Sequence, residues 1–276
     1  MKYRANFGVI SALMLMLPAT LAVAQNQLEN VELCNGADRT SPDLQINGCT
    51  ALIESASRPH LLSIAYINRG AAYIAKGDYD RAIQDYDQSI KFDSNNAKAF
   101  NNRGVAYQKK REYDRALNDF DEAIKLDPNY ASPFANRAET HQKKGEYRRA
   151  AQDYDEVIRL QPSWGAVWNG RCWTRAIIGE LQAALADCNE ALRLEPNVAA
   201  TFDSRGLTYL KLGQWDSAID DYSSALRVDP KLASSLYGRG LAKLKKGDTS
   251  GGNADIAAAQ AIEATIVGQF AQYGVQ

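Results

Sequence analysis

The chain has 276 residues, 45% hydrophobic and 24% charged with eight prolines, which excludes a disordered, collagen-like or low-complexity polymer. Thirty-two Lys and Arg against 33 Asp and Glu give a net charge of -1, which argues against a general polyanion binder. Two histidines and four cysteines leave little material for a metal site or a catalytic triad, so no metal, cofactor or enzymatic activity is expected.

Residues 1–24 have the form of an export signal. Lys2 and Arg4 precede an apolar run from Phe7 to Leu17, and Ala22-Val23-Ala24 supplies the small-x-small pattern of a cleavage site. The run is too short to span a bilayer, and no second one follows it. Cleavage near Ala24 would start an exported, periplasmic or secreted chain at Gln25, with 30 basic against 33 acidic residues and no membrane span. An uncleaved N-terminal anchor is the alternative, whereas a lipid anchor has no cysteine to attach to after Ala24.

Residues 25–62 read as a degenerate cap on the repeats that follow. Gly48, Leu52 and Ser55 match the second half of a repeat, with its first half around Val31 to Gly36. From Ser63 a period of 34 residues organises the chain, giving blocks 63–96, 97–130, 131–164, 165–198, 199–232 and 233–266. Two ladders share this period: Arg69, Arg103, Arg137, Arg171, Arg205 and Arg239, and Asp85, Asp119, Asp153, Asp187, Asp221 and Asp255. Each block predicts two helices. Tyr66, Arg69, Gly70 and Tyr73 fall at helical spacing, Gly77 breaks the run, and Ala82, Tyr86 and Ser89 resume it. The small residue of the first helix (Gly70, Gly104) is expected to meet that of the second (Ala82, Ala116), while Pro128, Pro162, Pro196 and Pro230 end four second helices. Gly251 and Gly252 predict that the sixth hairpin is the least regular. Ile262, Ile266, Val267 and Phe270 predict an apolar capping helix over residues 262–276.

The fifth block carries Phe202, Gly206, Tyr209, Ala218, Tyr222 and Pro230, and with these landmarks at this period the sequence resembles the tetratricopeptide repeat family. The resemblance implies an all-α, right-handed superhelical solenoid of about six helix-turn-helix repeats with capping elements at both ends. It is nearly silent on function, because the repeat is a packing unit. One departure recurs in all six blocks, where Arg replaces the family's usual Leu before the small residue. A basic stripe for an anion is one reading. A structural ladder, each Arg with the Asp of its own hairpin or its neighbour, fits the equal counts and fixed offset better.

In the repeat, the places of Cys172 and Cys188 face each other across the fourth hairpin, and Cys34 and Cys49 lie on the two helices of the cap. Disulfides Cys34–Cys49 and Cys172–Cys188 are expected in an exported chain, each closing a loop worth on the order of 3 kcal/mol; free buried cysteines are the alternative. The resemblance also implies a concave groove lined by first helices, for an extended peptide or a partner helix. The groove residues would be Asn101, Gln108, Lys109 and Lys143, then Asn169, Trp173, Ile177, Asp203, Leu207 and Leu210, with Trp173 either exposed as an anchor or packed on its neighbours. The Lys and Asn arrangement with which some relatives clamp a C-terminal carboxylate is not evident. The expected protein is therefore a monomeric adaptor that binds a protein or peptide of the envelope or secreted space, without nucleic acid. The alternative is a self-assembling structural repeat protein without a peptide ligand.

Overall fold

The computed structural model describes residues 26–36, 41–56 and 58–275, and among them every regular element is a helix. The export-signal assignment of residues 1–24 lies outside the described residues. The chain divides at Pro128 and Asn129 into two units.

The first unit begins with α1 (26–34) and α2 (Pro42–Ser55). Two hairpins follow, α3 (Pro59–Ala75) with α4 (Tyr79–Phe92) and α5 (Ala97–Lys109) with α6 (Tyr113–Leu126). The second unit holds four: α7 (Ala131–Lys143) with α8 (Tyr147–Leu160), α9 (Gly165–Ile178) with α10 (Leu181–Leu194), α11 (Ala199–Lys211) with α12 (Trp215–Val228), and α13 (Ala233–Lys245) with α14 (Thr249–Ile262). A short helix, α15 (Ile266–Gln272), comes last. Within each unit, consecutive helices pack against each other, and first helices of successive hairpins also touch. This is the hairpin-on-hairpin stacking of an α-solenoid.

Each hairpin is shaped by a few residues. The turn between its helices needs a left-handed residue, supplied by Gly77 (φ 75°), Gly145 (75°), Gly179 (88°), Gly213 (73°) and Gly247 (90°). In the second hairpin Arg111 takes this place at φ 62°. The second helices α4, α6, α8 and α12 are strongly amphipathic and bury an Ala at their start and a ring one turn later, as with Ala116 and Phe120.

The small residue of the first helix makes room chiefly for this ring, rather than for the small residue opposite. A Cβ on Gly70 would come within 2.7 Å of the Tyr86 ring, and one on Gly104 within 2.6 Å of Phe120. Tyr222 is held from two sides, by Gly206 of its own hairpin and Gly238 of the next. Small places do meet directly in the sixth hairpin, where a Cβ on either Gly240 or Gly252 would lie 2.9 Å from the other's carbonyl oxygen. The expectation of an irregular sixth hairpin is thereby corrected. α14 runs unbroken through Gly251 and Gly252, because Gly252 serves close packing there.

The capping helix also differs from its expected form. α14 continues to Ile262 and a turn precedes α15, so the four apolar residues do not form one face. Ile266 and Phe270 are buried, whereas Ile262 is 50% and Val267 42% exposed.

Candidate partner-binding face

The ladder residues settle the electrostatics of each hairpin first. Arg69, Arg103, Arg137, Arg171, Arg205 and Arg239 each donate through Nε and Nη2 to both carboxylate oxygens of the Asp sixteen residues later, at 2.6–3.0 Å. Nη1 reaches back the same distance along the chain. It donates to Asp87 from Arg103 (2.6 Å), to Asp155 from Arg171 (2.6 Å) and to Asn189 from Arg205 (2.7 Å). Thus Arg103, Arg171 and Arg205 each close their own hairpin and tie it to the one before. In Arg69, Arg103, Arg137, Arg171 and Arg205 the guanidinium also lies over an aromatic ring three residues earlier, for example 4.9 Å from the Trp168 centroid for Arg171. Every fork is occupied by a carboxylate, so the ladder offers no open anion stripe. Burial pushes the Asp119 carboxyl above its ordinary value, and the Arg103 bonds only partly offset it. Burial acts the same way on Asp255, but Arg239 and Lys243 together hold it below.

The two cysteine pairs are disulfide-bonded, Cys34 to Cys49 and Cys172 to Cys188, and all four are buried. Cys172 stands where Gly70 stands and Cys188 where Tyr86 stands, so the bridge replaces the ring-on-glycine contact of other hairpins.

The expected groove residues divide sharply. Lys109 and Lys143 are exposed. Asn101 and Gln108 are buried between helices, and the Asn101 amide donates to Asn102 at 3.1 Å. Asn169 is partly buried, its Oδ1 enclosed without a hydrogen bond. Ser235 donates to Asp203 at 2.5 Å, and burial pushes the Asp203 carboxyl up to about 6. Leu207 and Leu210 are only 3% and 4% exposed, which corrects their placement on an open groove.

What covers them is the chain's own 265–275 segment. Ile266 and Phe270 join the apolar cluster of Leu207, Leu210 and Tyr237, with Ile177 packed against it. The Phe270 ring meets Tyr237 at 4.8 Å, and Tyr273 meets Trp173 edge-on at 5.4 Å. Trp173 is therefore packed, with Tyr147 on its other side at 5.8 Å. Lys211 completes the arrangement. Its ammonium donates to the Ala176 and Ile177 carbonyls (2.7 and 3.3 Å) at the end of α9, and to the Tyr273 carbonyl (2.8 Å). Burial lowers its pKa.

Sequence reasoning missed Lys211 and Tyr273, whose partners lie far away along the chain. It also missed the backward acceptors of the ladder, although Asp87, Asp155 and Asn189 recur in the same register. Among the described residues no group of three or more His, Cys, Asp or Glu is placed to hold a metal ion. No described helix is long and apolar enough to cross a membrane.

Comparison with known proteins places this architecture. A model described as a TPR repeat matches residues 70–111 and 206–247, and two described as a tetratricopeptide repeat match 97–130 and 136–199. No curated protein matches the sequence. Among solved structures, a tetratricopeptide repeat protein from Parabacteroides merdae is 17% identical, with a TM-score of 0.67 over 91% of this chain and 99% of that one. YrrB, described as a TPR protein with an unusual peptide-binding site, is 21% identical, with a TM-score of 0.59 over 69% of this chain and 97% of its own. PilW, described as a widely conserved type IV pilus biogenesis factor, is 19% identical, with a TM-score of 0.66 over 72% of this chain and 93% of its own. At these identities the likeness is one of fold.

Proposed function

Since the chain belongs to the tetratricopeptide repeat family, we propose that it is a protein-interaction scaffold, holding a short segment of another protein against the first helices of its hairpins. One observation carries this reading. A polypeptide segment, 265–275, already lies on α9, α11 and α13, held by two rings and one carbonyl–lysine hydrogen bond. The peptide-binding site named for YrrB and the pilus-biogenesis role named for PilW support the same reading. Charged groups spread one set per hairpin form no convergent cluster, which favours a scaffold over a catalyst. The leader-like residues 1–24 and the two disulfides support an exported protein working in the periplasm or beyond the cell.

Photo-crosslinking in cells tests the scaffold reading. A photoreactive residue at Ile64, Lys109 or Lys245, on first helices, is expected to give discrete protein adducts. One at Lys125, Arg159 or Arg193, on second helices, is expected to give none. Adducts from the second helices alone would overturn the assignment of the face. Mass analysis of the protein from the cell envelope tests export: the expected species starts near Gln25 and carries both disulfides.

A further inference from the structure

Asp203 breaks the rule that the ladder sets for aspartates. Each ladder Asp holds an arginine through both oxygens. Asp203 accepts from the Ser234 and Ser235 hydroxyls of α13 and, among the described residues, meets no cation. Its place in the repeat is Ile67, Asn101, Ala135, Asn169 and Tyr237 in the other blocks, so the carboxyl is not a requirement of the packing unit. Two enclosed polar atoms without a hydrogen bond flank it. Asn169 Oδ1 belongs to the same place on α9, which packs against α11. Tyr222 Oη reaches in from α12 and ends against Gly238, one turn after Ser234. Burial and the Asp203 charge push the Tyr222 pKa well above its ordinary value, so the phenol stays neutral. The approach lies along the starts of α9 and α11. Ala166 and Ala200, one turn before Asn169 and Asp203 on the same helix faces, are exposed and too short to cover them.

We infer that Asp203, Asn169 and Tyr222 form a seat for a lysine side chain of the protein segment that this chain holds. The inference rests on the scaffold reading above and names the chemistry by which the segment is recognised. At neutral pH the Asp203 carboxyl, titrating at about 6, is ionised without a counter-charge, a costly state that a cation relieves. An ammonium suits the seat better than a guanidinium. It carries three N–H donors, which match a carboxylate, an amide oxygen and a phenol oxygen. A guanidinium fork takes both carboxylate oxygens edge-on, as in the ladder, and here Ser235 already donates to Oδ1 at 2.5 Å.

The probe is a capped pentapeptide with one lysine between alanines. A nuclear magnetic resonance titration of the protein at pH 7 would follow the Asp203 carboxyl carbon and the amides of α9 and α11. The lysine peptide is expected to bind about tenfold more tightly than its norleucine counterpart and about threefold more tightly than its arginine counterpart. Asp203→Asn, which keeps an acceptor for Ser235, is expected to abolish the preference for lysine over norleucine. Ala200→Leu, which covers the approach from an exposed position, is expected to weaken lysine binding about threefold. Lysine binding should also tighten as pH rises from 5 to 7 and Asp203 ionises. Tyr222 of α12 and Tyr273 of the 265–275 segment share its field, both with raised pKa values, and α9 and α13 face it with Asn169, Ser234 and Ser235.

Equal binding of the lysine and norleucine peptides, or binding of neither, overturns the inference, as does an unchanged preference in Asp203→Asn. If that variant does not fold, Ala200→Leu and the parent's pH profile decide. An arginine peptide that binds as tightly overturns the choice of an ammonium. n-Butylammonium, the lysine side chain without a backbone, is expected to bind about threefold more weakly than the peptide; equal binding would assign the seat to a small amine and overturn the protein segment. Crosslinks from the first helices without any preference for lysine would sink this inference and leave the scaffold reading standing. Lysine binding at Asp203 without any crosslinked partner would do the reverse.

Discussion

At the scale of single residues, the arginine ladder shows how a charge is kept half inside a helical stack. A guanidinium taken from water needs most of its donors matched, and each Arg here meets a bidentate carboxylate on one side. Asp187 takes Arg171 at 2.9 and 2.6 Å and Arg175 at 2.8 Å with its side chain 3% exposed. Asp187→Ala is expected to cost about 3 kcal/mol by leaving two guanidinium groups short of partners, read as a fall in the urea midpoint. Replacing Arg171 and Arg175 by Met in that background should recover much of the loss, because no stranded charge remains.

Asp203 is the opposite case, a carboxyl with hydroxyl partners and, among the described residues, no cation. Its folded pKa, raised to about 6 from 3.8, means that the folded protein holds this proton more tightly than the unfolded chain. That contribution is fully present below the unfolded pKa, falls as pH rises from about 4 to 6, and is absent above. Asp203→Asn keeps an acceptor for Ser235 and removes the titration. Its melting temperature is expected to exceed the parent's by a margin that widens between pH 4 and 7, amounting to at most about 3 kcal/mol. A margin independent of pH would place the titration elsewhere.

At the scale of elements, each hairpin follows from a turn and one ring-on-glycine contact. The turn works best with glycine, and Arg111 holds the same left-handed conformation at a steric cost. Arg111→Gly is expected to stabilise the second hairpin by about 1 kcal/mol, seen as a higher urea midpoint with an unchanged slope. The helix pairs were readable in the sequence because a hairpin buries residues within 34 positions of one another, so helical periodicity and the glycine break identify it locally. The sixth hairpin was not. Two adjacent glycines in a helix read as weakness, and only the packing shows Gly252 accepting the Gly240 backbone at close range.

At the scale of the whole molecule, stability in a stack is close to a sum of hairpins and their interfaces, so damage stays near where it is made. The two disulfides close loops of 15 and 16 residues in α1–α2 and α9–α10, each worth on the order of 3 kcal/mol. Reduction is therefore expected to speed hydrogen exchange in those two hairpins first. A uniform acceleration over α1 to α15 would show instead that the chain unfolds as one cooperative body.

The repeat period, the all-helical fold and the place of each ladder residue were determined by the sequence alone, because every one of them depends on contacts inside a hairpin or between successive hairpins. The groove was not. Leu207 and Leu210 read as an open apolar face, with Trp173 either exposed or packed, because the first helices present them in regular register. Tyr273 reaches Lys211 across 62 residues and packs on Trp173 still farther away. Those contacts exist only after α9, α11 and α13 have been stacked side by side, so no local pattern after Glu263 encodes them. Tertiary structure alone decided that the face is occupied, because burying Phe270 and Tyr273 requires a surface assembled from three separate hairpins.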